Sequence, residues 1–153
     1  VGLYTYTSSV WNAVGGTGAF YGETQGSATV TLPSASTDVA MTDSKVTFTL
    51  AVQRRVRVLA RYRANSASAP DNLIATPAVV AGSTATLTAA VLGRQVQVSI
   101  STTGGPGQSE AISESSFLLA AGTWSAFVAA QCTTDTTASA LGGYCAVYDC
   151  GPT

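Results

Sequence analysis

Histidine is absent from this chain of 153 residues, and the absence removes a class of chemistry. Without an imidazole there is no Ser-His or Cys-His dyad and no zinc site that needs a nitrogen ligand. Charge is scarce too. Asp, Glu, Lys and Arg make up 10% of the chain, against about 25% in a typical globular domain. Seven basic and eight acidic residues nearly cancel, leaving a net charge of −1. Proteins that wrap DNA or coat anionic membranes carry a large positive excess, so neither nucleic acid nor a lipid surface is an expected partner. No run of about 18 apolar residues is present, so no membrane insertion is expected. The start, Val-Gly-Leu-Tyr-Thr-Tyr-Thr, has neither a basic n-region nor an apolar h-region, so no signal peptide is expected.

What is present is mostly small. Alanine (25), threonine (22), serine (17) and glycine (15) make up about half the chain, with one Lys and one Met. Threonine and valine suit pleated, half-buried strands, while Gly and Ser clusters suit turns. Leu, Glu, Lys and Arg at helical spacing are too few for long helices. Apolar residues reach 46%, enough for one core. A surface so poor in charge is either covered by hydroxyls or buried against neighbouring chains.

The period-2 signal sets in at Ser27. Ala28, Val30 and Leu32 alternate with threonines. Val46, Phe48, Leu50 and Val52 do the same, and Val56, Val58, Ala60 and Tyr62 follow after a short turn. Shorter strands are expected at 73–74 and 79–80, then alternations at Ala85, Leu87, Ala89, Val91 and at Val96, Val98, Ile100. Thr103 to Gly107 reads as a turn, 111–119 and 123–131 as strands, and Gly142-Gly143 as a turn into a last strand over 144–149. The fold class expected is all-β: an antiparallel two-sheet sandwich or barrel, jelly-roll-like, spanning residues 25–153 as one domain. Residues 1–24, aromatic and glycine-rich, read either as an extended N-terminal arm anchored by Leu3, Tyr4, Tyr6 and Trp11 or as an ordinary first strand and loop.

Cys132, Cys145 and Cys150 are an odd set. Cys145 and Cys150 on one extended strand would stand about 16 Å apart, too far to bridge. A disulfide from Cys132 to Cys145 or Cys150 is geometrically open, as is a fully reduced chain. Three cysteines without histidine do not suit zinc, and Cys150 has no nearby base. No metal or cofactor is expected.

The clearest constellation is a row of arginines. Arg55, Arg57, Arg61 and Arg63 share one strand face, because side chains two apart point the same way. Such a row could dock on an acidic partner or pair with carboxylates of a neighbouring subunit; it could equally be a solvated face that blocks edge-to-edge association. No aromatics interleave with it along the strand, which argues against single-stranded nucleic acid. The acidic residues are scattered, and Glu110 and Glu114 are too sparse for a calcium loop. Ser44 beside Lys45 is a poor nucleophile pair, and the glycines at 15–18 and 104–107 lack the helix and lysine of a phosphate loop. Trp11, Trp124 and Tyr148 could form a stacking platform for sugar, the alternative reading being a lectin-like β-sandwich module or tail-borne receptor-binding domain.

Three stretches carry a family resemblance. Phe117-Leu-Leu-Ala-Ala-Gly-Thr-Trp-Ser-Ala-Phe127 resembles the penultimate strand region of small jelly-roll domains in tailed-phage virion proteins. Tyr144-Cys-Ala-Val-Tyr-Asp-Cys-Gly-Pro152 resembles their closing strand, with cysteines at 145 and 150 where an aliphatic residue is expected, and Arg-Arg-Val-Arg-Val at 54–58 resembles a central one. The resemblance implies a non-enzymatic virion structural protein used in capsid decoration, head fibres or host attachment. It further implies a homotrimer that binds a major capsid or tail protein, with a host-surface glycan as a further partner, located on the virion surface and assembled in the host cytoplasm.

Overall fold

The computed structural model describes residues 3–7, 10–14, 19–32, 37–66, 71–100, 107–133 and 138–151. Every regular element among them is a strand: β1 (Leu3–Thr7), β2 (Val10–Val14), β3 (Phe20–Gln25), β4 (Thr29–Thr31), β5 (Val39–Leu50), β6 (Arg54–Ser66), β7 (Asp71–Ala81), β8 (Val91–Leu92), β9 (Val96–Ile100), β10 (Gly107–Leu119), β11 (Gly122–Cys132) and β12 (Ser139–Asp149). One sheet runs β10-β6-β12-β3, with β4 also on β12; the other runs β5-β11-β7-β8, with β9 also on β7. The chain crosses between the sheets at β5, β6 and β7 and again from β9 through β12. Each sheet therefore receives strands that are not sequence neighbours, which is the interleaved Greek-key order of a jelly roll. The expected fold class is the observed one.

β1 and β2 form a separate two-stranded antiparallel sheet, with Leu3 opposite Val14 and Tyr6 opposite Trp11. The side chains of Leu3, Tyr4, Tyr6 and Trp11 lie outside what the structure describes, as do the glycine turn at 15–18 and residues 103–106. Phe20–Gln25, on the arm side of the expected boundary, pairs with β12 and is an edge strand of the first sheet.

Between the sheets lies a core fed by alternate residues of each strand. Val56, Val58, Ala60, Tyr62 and Ala64 of β6 face Met41, Phe48, Leu73 and Val128 from the other sheet's strands, all buried. Tyr62 is fully buried, and its hydroxyl donates to the carbonyls of Gln131 (2.8 Å) and Ile74 (3.2 Å). One phenol thus ties β6 to β11 and β7 across the sandwich. Burial raises its pKa far above the ordinary tyrosine value, so it stays a donor.

β11 is buried on both faces: Ala126, Phe127, Val128, Ala129 and Ala130 have no exposed surface. Phe127 and Ala129 point away from the main core and are covered by Ala85, with Leu87 and Ala90 packed against them. This corrects the strand expected from the alternation of Ala85, Leu87 and Ala89. Residues 82–90 form a covering loop, Ala89 has φ of 60°, and only Val91 and Leu92 pair with β7. The apolar periodicity is real, but it answers a sheet face and not a strand partner.

Two further corrections concern strand breaks. The two short strands expected at 73–74 and 79–80 are one continuous β7, despite Pro77. β9 pairs with residues 71–75 and β8 with 78–79, so the missing N–H of Pro77 falls where that flank has no ladder bond to make. Gly142-Gly143, expected as a turn, is instead a bulge inside β12: Leu141 lies opposite Arg63 and Tyr144 opposite Arg61. Gly142 sits at φ +56°, and a Cβ on Gly143 would stand 3.0 Å from Met41 Sδ and Ser44 Cβ.

Of the two states the sequence left open, the reduced one is observed: no bridge joins Cys132 to Cys145 or Cys150. Cys132 closes β11 in one sheet, with its Sγ 3.9 Å from the Leu32 carbonyl; Cys145 lies mid-β12 in the other sheet. Cys150 is exposed past the end of β12, while burial pushes the Cys145 thiol up to about 12.

Two outcomes are expected. Tyr62→Phe leaves the buried Gln131 carbonyl and the part-buried Ile74 carbonyl without their shared donor and should cost about 1–3 kcal/mol in urea unfolding, with an unchanged m-value. In native protein, a thiol-reactive chromophore should label Cys150 quickly, and Cys132 and Cys145 only after unfolding.

Candidate functional site

The outer face of the β10-β6-β12-β3 sheet carries the arginine row. On β6, Arg55, Arg57 and Arg63 are exposed and Arg61 and Leu59 half-buried on this face, while Val56, Val58, Ala60 and Tyr62 point inward. Register decides their neighbours. Across β10 stand Glu110 opposite Arg63, Ile112 opposite Arg61, Glu114 opposite Leu59 and Leu118 opposite Arg55. Across β12 stand Tyr144 opposite Arg61, Ala146 opposite Leu59 and Tyr148 opposite Arg57. Gln25 and Glu23 of β3 come next, opposite Tyr144 and Ala146.

Aromatics absent along β6 are therefore supplied by β12. The Arg57 guanidinium lies 5.0 Å from the Tyr148 ring centroid, and that of Arg61 lies 4.9 Å from Tyr144. Phe20 packs on Tyr148, with ring centroids 5.2 Å apart. Arg61 also pairs with Glu110 (3.2 Å) and donates to Gln25 Oε1 (3.3 Å), while Arg57 approaches Glu114 at 3.7 Å. Half-exposed ion pairs are individually worth about 0.2–1 kcal/mol, so their main effect is order. Ala146 has no exposed surface although it is on the outer face, between Tyr144 and Tyr148.

The glutamates pair diagonally and not straight across. Glu110 faces Arg63 in register but bonds Arg61. Among the described residues this leaves Arg55 and Arg63, at the two ends of the row, without a carboxylate partner. Their surroundings differ. Arg55 lies beside Leu118, which is 51% exposed and borders an apolar groove of about 560 Å³ with Val91, Leu92, Phe117 and Trp124. Arg63 lines a polar hollow of about 610 Å³ with Gln25, Ser27, Arg61, Glu110 and Leu141.

Tyr144 donates its hydroxyl to Glu23. That bond, followed by desolvation and the Glu23 charge, pushes its pKa up to about 12. Arg54 serves a different purpose: it pairs at 3.3 Å with buried Asp149, which also accepts from the Tyr21 hydroxyl (3.3 Å) and the Gly151 amide (2.8 Å). Mainly through burial, the Tyr21 phenol is pushed up to about 12. At neutral pH these phenols are hydrogen-bond donors and not bases.

Of the three aromatics considered for a sugar platform, the side chain of Trp11 lies outside the described residues, and the other two stand on different sheets. Trp124 belongs to the opposite sheet and donates its indole N–H to the Ala120 carbonyl (3.0 Å), while Tyr148 sits beneath Arg57. Among the described residues no group of three His, Cys, Asp or Glu is placed to hold a metal ion. No helix among them is long and apolar enough to cross a membrane. The arginine row was readable from parity alone. Tyr144, Gln25 and both glutamates were not, because their places depend on cross-strand register.

Glu23→Gln removes the anion that favours the neutral phenol, so the Tyr144 pKa should fall from about 12 toward 10. Ultraviolet difference titration, with Tyr144→Phe identifying the signal, checks this. The sign follows from linkage: with a pKa raised on folding, Tyr144 contributes stability that is present below pH 10 and lost as pH rises through about 12.

No protein-family model matches the chain, and no curated protein matches it. Among solved structures it is similar to the Eiger TNF from S. frugiperda, with a TM-score of 0.52 and 10% identity over 88% of this chain and 94% of that one. It also aligns with a chain of infectious bursal disease virus, Gx strain, with a TM-score of 0.45 and 8% identity over 94% of this chain and 36% of that one. At such identity the likeness to the TNF shows the fold alone: an all-β, jelly-roll-like sandwich of two antiparallel sheets.

Proposed function

We propose that this chain is a non-enzymatic structural protein of a virion, of the capsid-decoration or head-fibre type. In this reading it acts as a symmetric trimer on the virion surface and docks on a major capsid or tail protein. The observation that carries the assembly part is the make-up of the outer β10-β6-β12-β3 face. Arginine and tyrosine, the residues that concentrate in interface centres, are held there in mutual contact, and lysine is absent from it. Beside them Ile112 (49%) and Leu118 (51%) are exposed large apolar side chains on the same strand face. Arg55, ordered by its strand but without a carboxylate among the described residues, stands next to Leu118 and supplies the charge such a centre offers an acidic partner.

The virion part is supported by the three stretches that resemble tailed-phage jelly-roll domains. They fall on the β10–β11 corner, on β12 and on the start of β6, all integral to the sandwich. The charge-poor composition accords with a subunit that covers much of its surface in assembly.

Light scattering coupled to size exclusion tests the reading. The native chain should run at three times 15.4 kDa. Arg55→Glu with Leu118→Asp should weaken association at least tenfold for each hot-spot residue lost, with unchanged β-sheet circular dichroism. A native monomer at every concentration, or an oligomer indifferent to the double variant, would refute assembly through this face.

A further inference from the structure

The hollow at the other end of the row has features that assembly through the Arg55 end does not use. Three charged groups line it: Arg61, Arg63 and Glu110. Glu110 is committed to Arg61 at 3.2 Å, so one positive charge, that of Arg63, is left over. The walls are braced independently of any ligand. The Gln25 amide nitrogen donates to the carbonyls of Gly142 (2.8 Å), Gly143 (3.2 Å) and Gly26 (3.2 Å), which turns its Oε1 toward Arg61. The β12 bulge presents the Gly142 and Gly143 carbonyls, and Gly142 itself forms part of the wall.

We propose that this hollow is a binding site for a sugar carboxylic acid, such as a uronic acid residue of an acidic glycan. The balance of charge selects a monoanion, because one net positive charge matches one carboxylate, and a dianionic phosphate would lie against Glu110. Arg63 offers the planar donor pair that meets a carboxylate in two parallel bonds. The other polar groups are chiefly acceptors: Glu110 and the second lone pair of the Gly142 carbonyl, which suit ligand hydroxyls, whereas the Gly143 carbonyl is filled by the Gly26 amide and Gln25. Leu141 gives the apolar contact. The Tyr144 ring face is already taken by Arg61, so the ligand is held by polar contacts and not by stacking. A volume of about 610 Å³ accepts one or two sugar rings. Arg61, tethered on three sides, is a positioning residue that sets the field and the wall.

The test uses a glucuronic acid oligosaccharide, the matching neutral glucose oligosaccharide and hexaglutamate, each titrated into isotopically labelled protein while amide shifts are followed. Glucuronate should move the amides of Gln25, Ser27, Arg63, Leu141 and Gly142, and the neutral sugar should not. Arg63→Gln, an exposed change that leaves the fold intact by circular dichroism, should weaken glucuronate binding at least tenfold. Gln25→Ala should weaken it several-fold by releasing the bulge carbonyls. The variant with Arg55→Glu and Leu118→Asp should bind as the native chain does, which separates this site from the assembly reading. Glucuronate binding no better than glucose, or untouched by Arg63→Gln, would overturn the proposal. Hexaglutamate binding as tightly at the same amides would also overturn it, in favour of a protein carboxylate.

Discussion

The two-residue period of β6 is the constraint on which the structure depends. On a strand, burial and charge can coexist only if the sequence alternates without a slip, and β6 does so from Arg55 to Ala64. A shift of one residue would drive Arg57 and Arg61 into the core and expose Val58 and Tyr62. The cost of burying guanidinium groups without partners forbids that register. β6 is flanked on both sides, so its register also places β10 and β12, and with them the glutamates and tyrosines of the outer face. Core and candidate site are opposite faces of one decision.

Where periodicity and burial act together, the sequence was legible. β6 could be read from parity, and so could the sandwich. It misled where an apolar pattern had another cause. Ala85, Leu87 and Ala89 alternate, yet they cover Phe127 and Ala129 on the outside of the second sheet. The stretches 73–74 and 79–80 read as two short strands, yet β7 runs through Pro77, which sits where one flank needs no ladder bond. Gly142 and Gly143 looked like a turn because glycine marks turns and bulges alike. Half the candidate site was visible, the arginines, since a face is a local property. The other half was not, because pairing Arg61 with Tyr144, Glu110 and Gln25 requires knowing three strand registers at once.

Scarcity of charge makes its placement informative. Four of the seven basic residues, Arg55, Arg57, Arg61 and Arg63, and the three glutamates, Glu23, Glu110 and Glu114, stand on one sheet face. Nearly half of the chain's fifteen charged residues share that sheet surface. The opposite outer face, by contrast, is covered by a loop of small and apolar residues. The two outer faces are thus chemically unlike, one offering guanidinium and phenol groups and the other closed upon itself. An oriented subunit requires such a difference between its sides.

The β12 bulge has a consequence for how this chain can change over time. Leu141 and Tyr144 are an odd number of residues apart, yet both lie opposite outward-facing arginines of β6. The bulge is a phase correction: one strand serves β4 before it and β3 after it, with the proper face outward in both places. Loss of Gly142 alone would invert one half of the strand, turning either Ala138 and Ala140 or Cys145 and Val147 out of the core. Length changes near this point are tolerable only in steps of two, or when matched by a change on β6. The reading frame of the fold here is counted in pairs of residues, much as that of a gene is counted in threes.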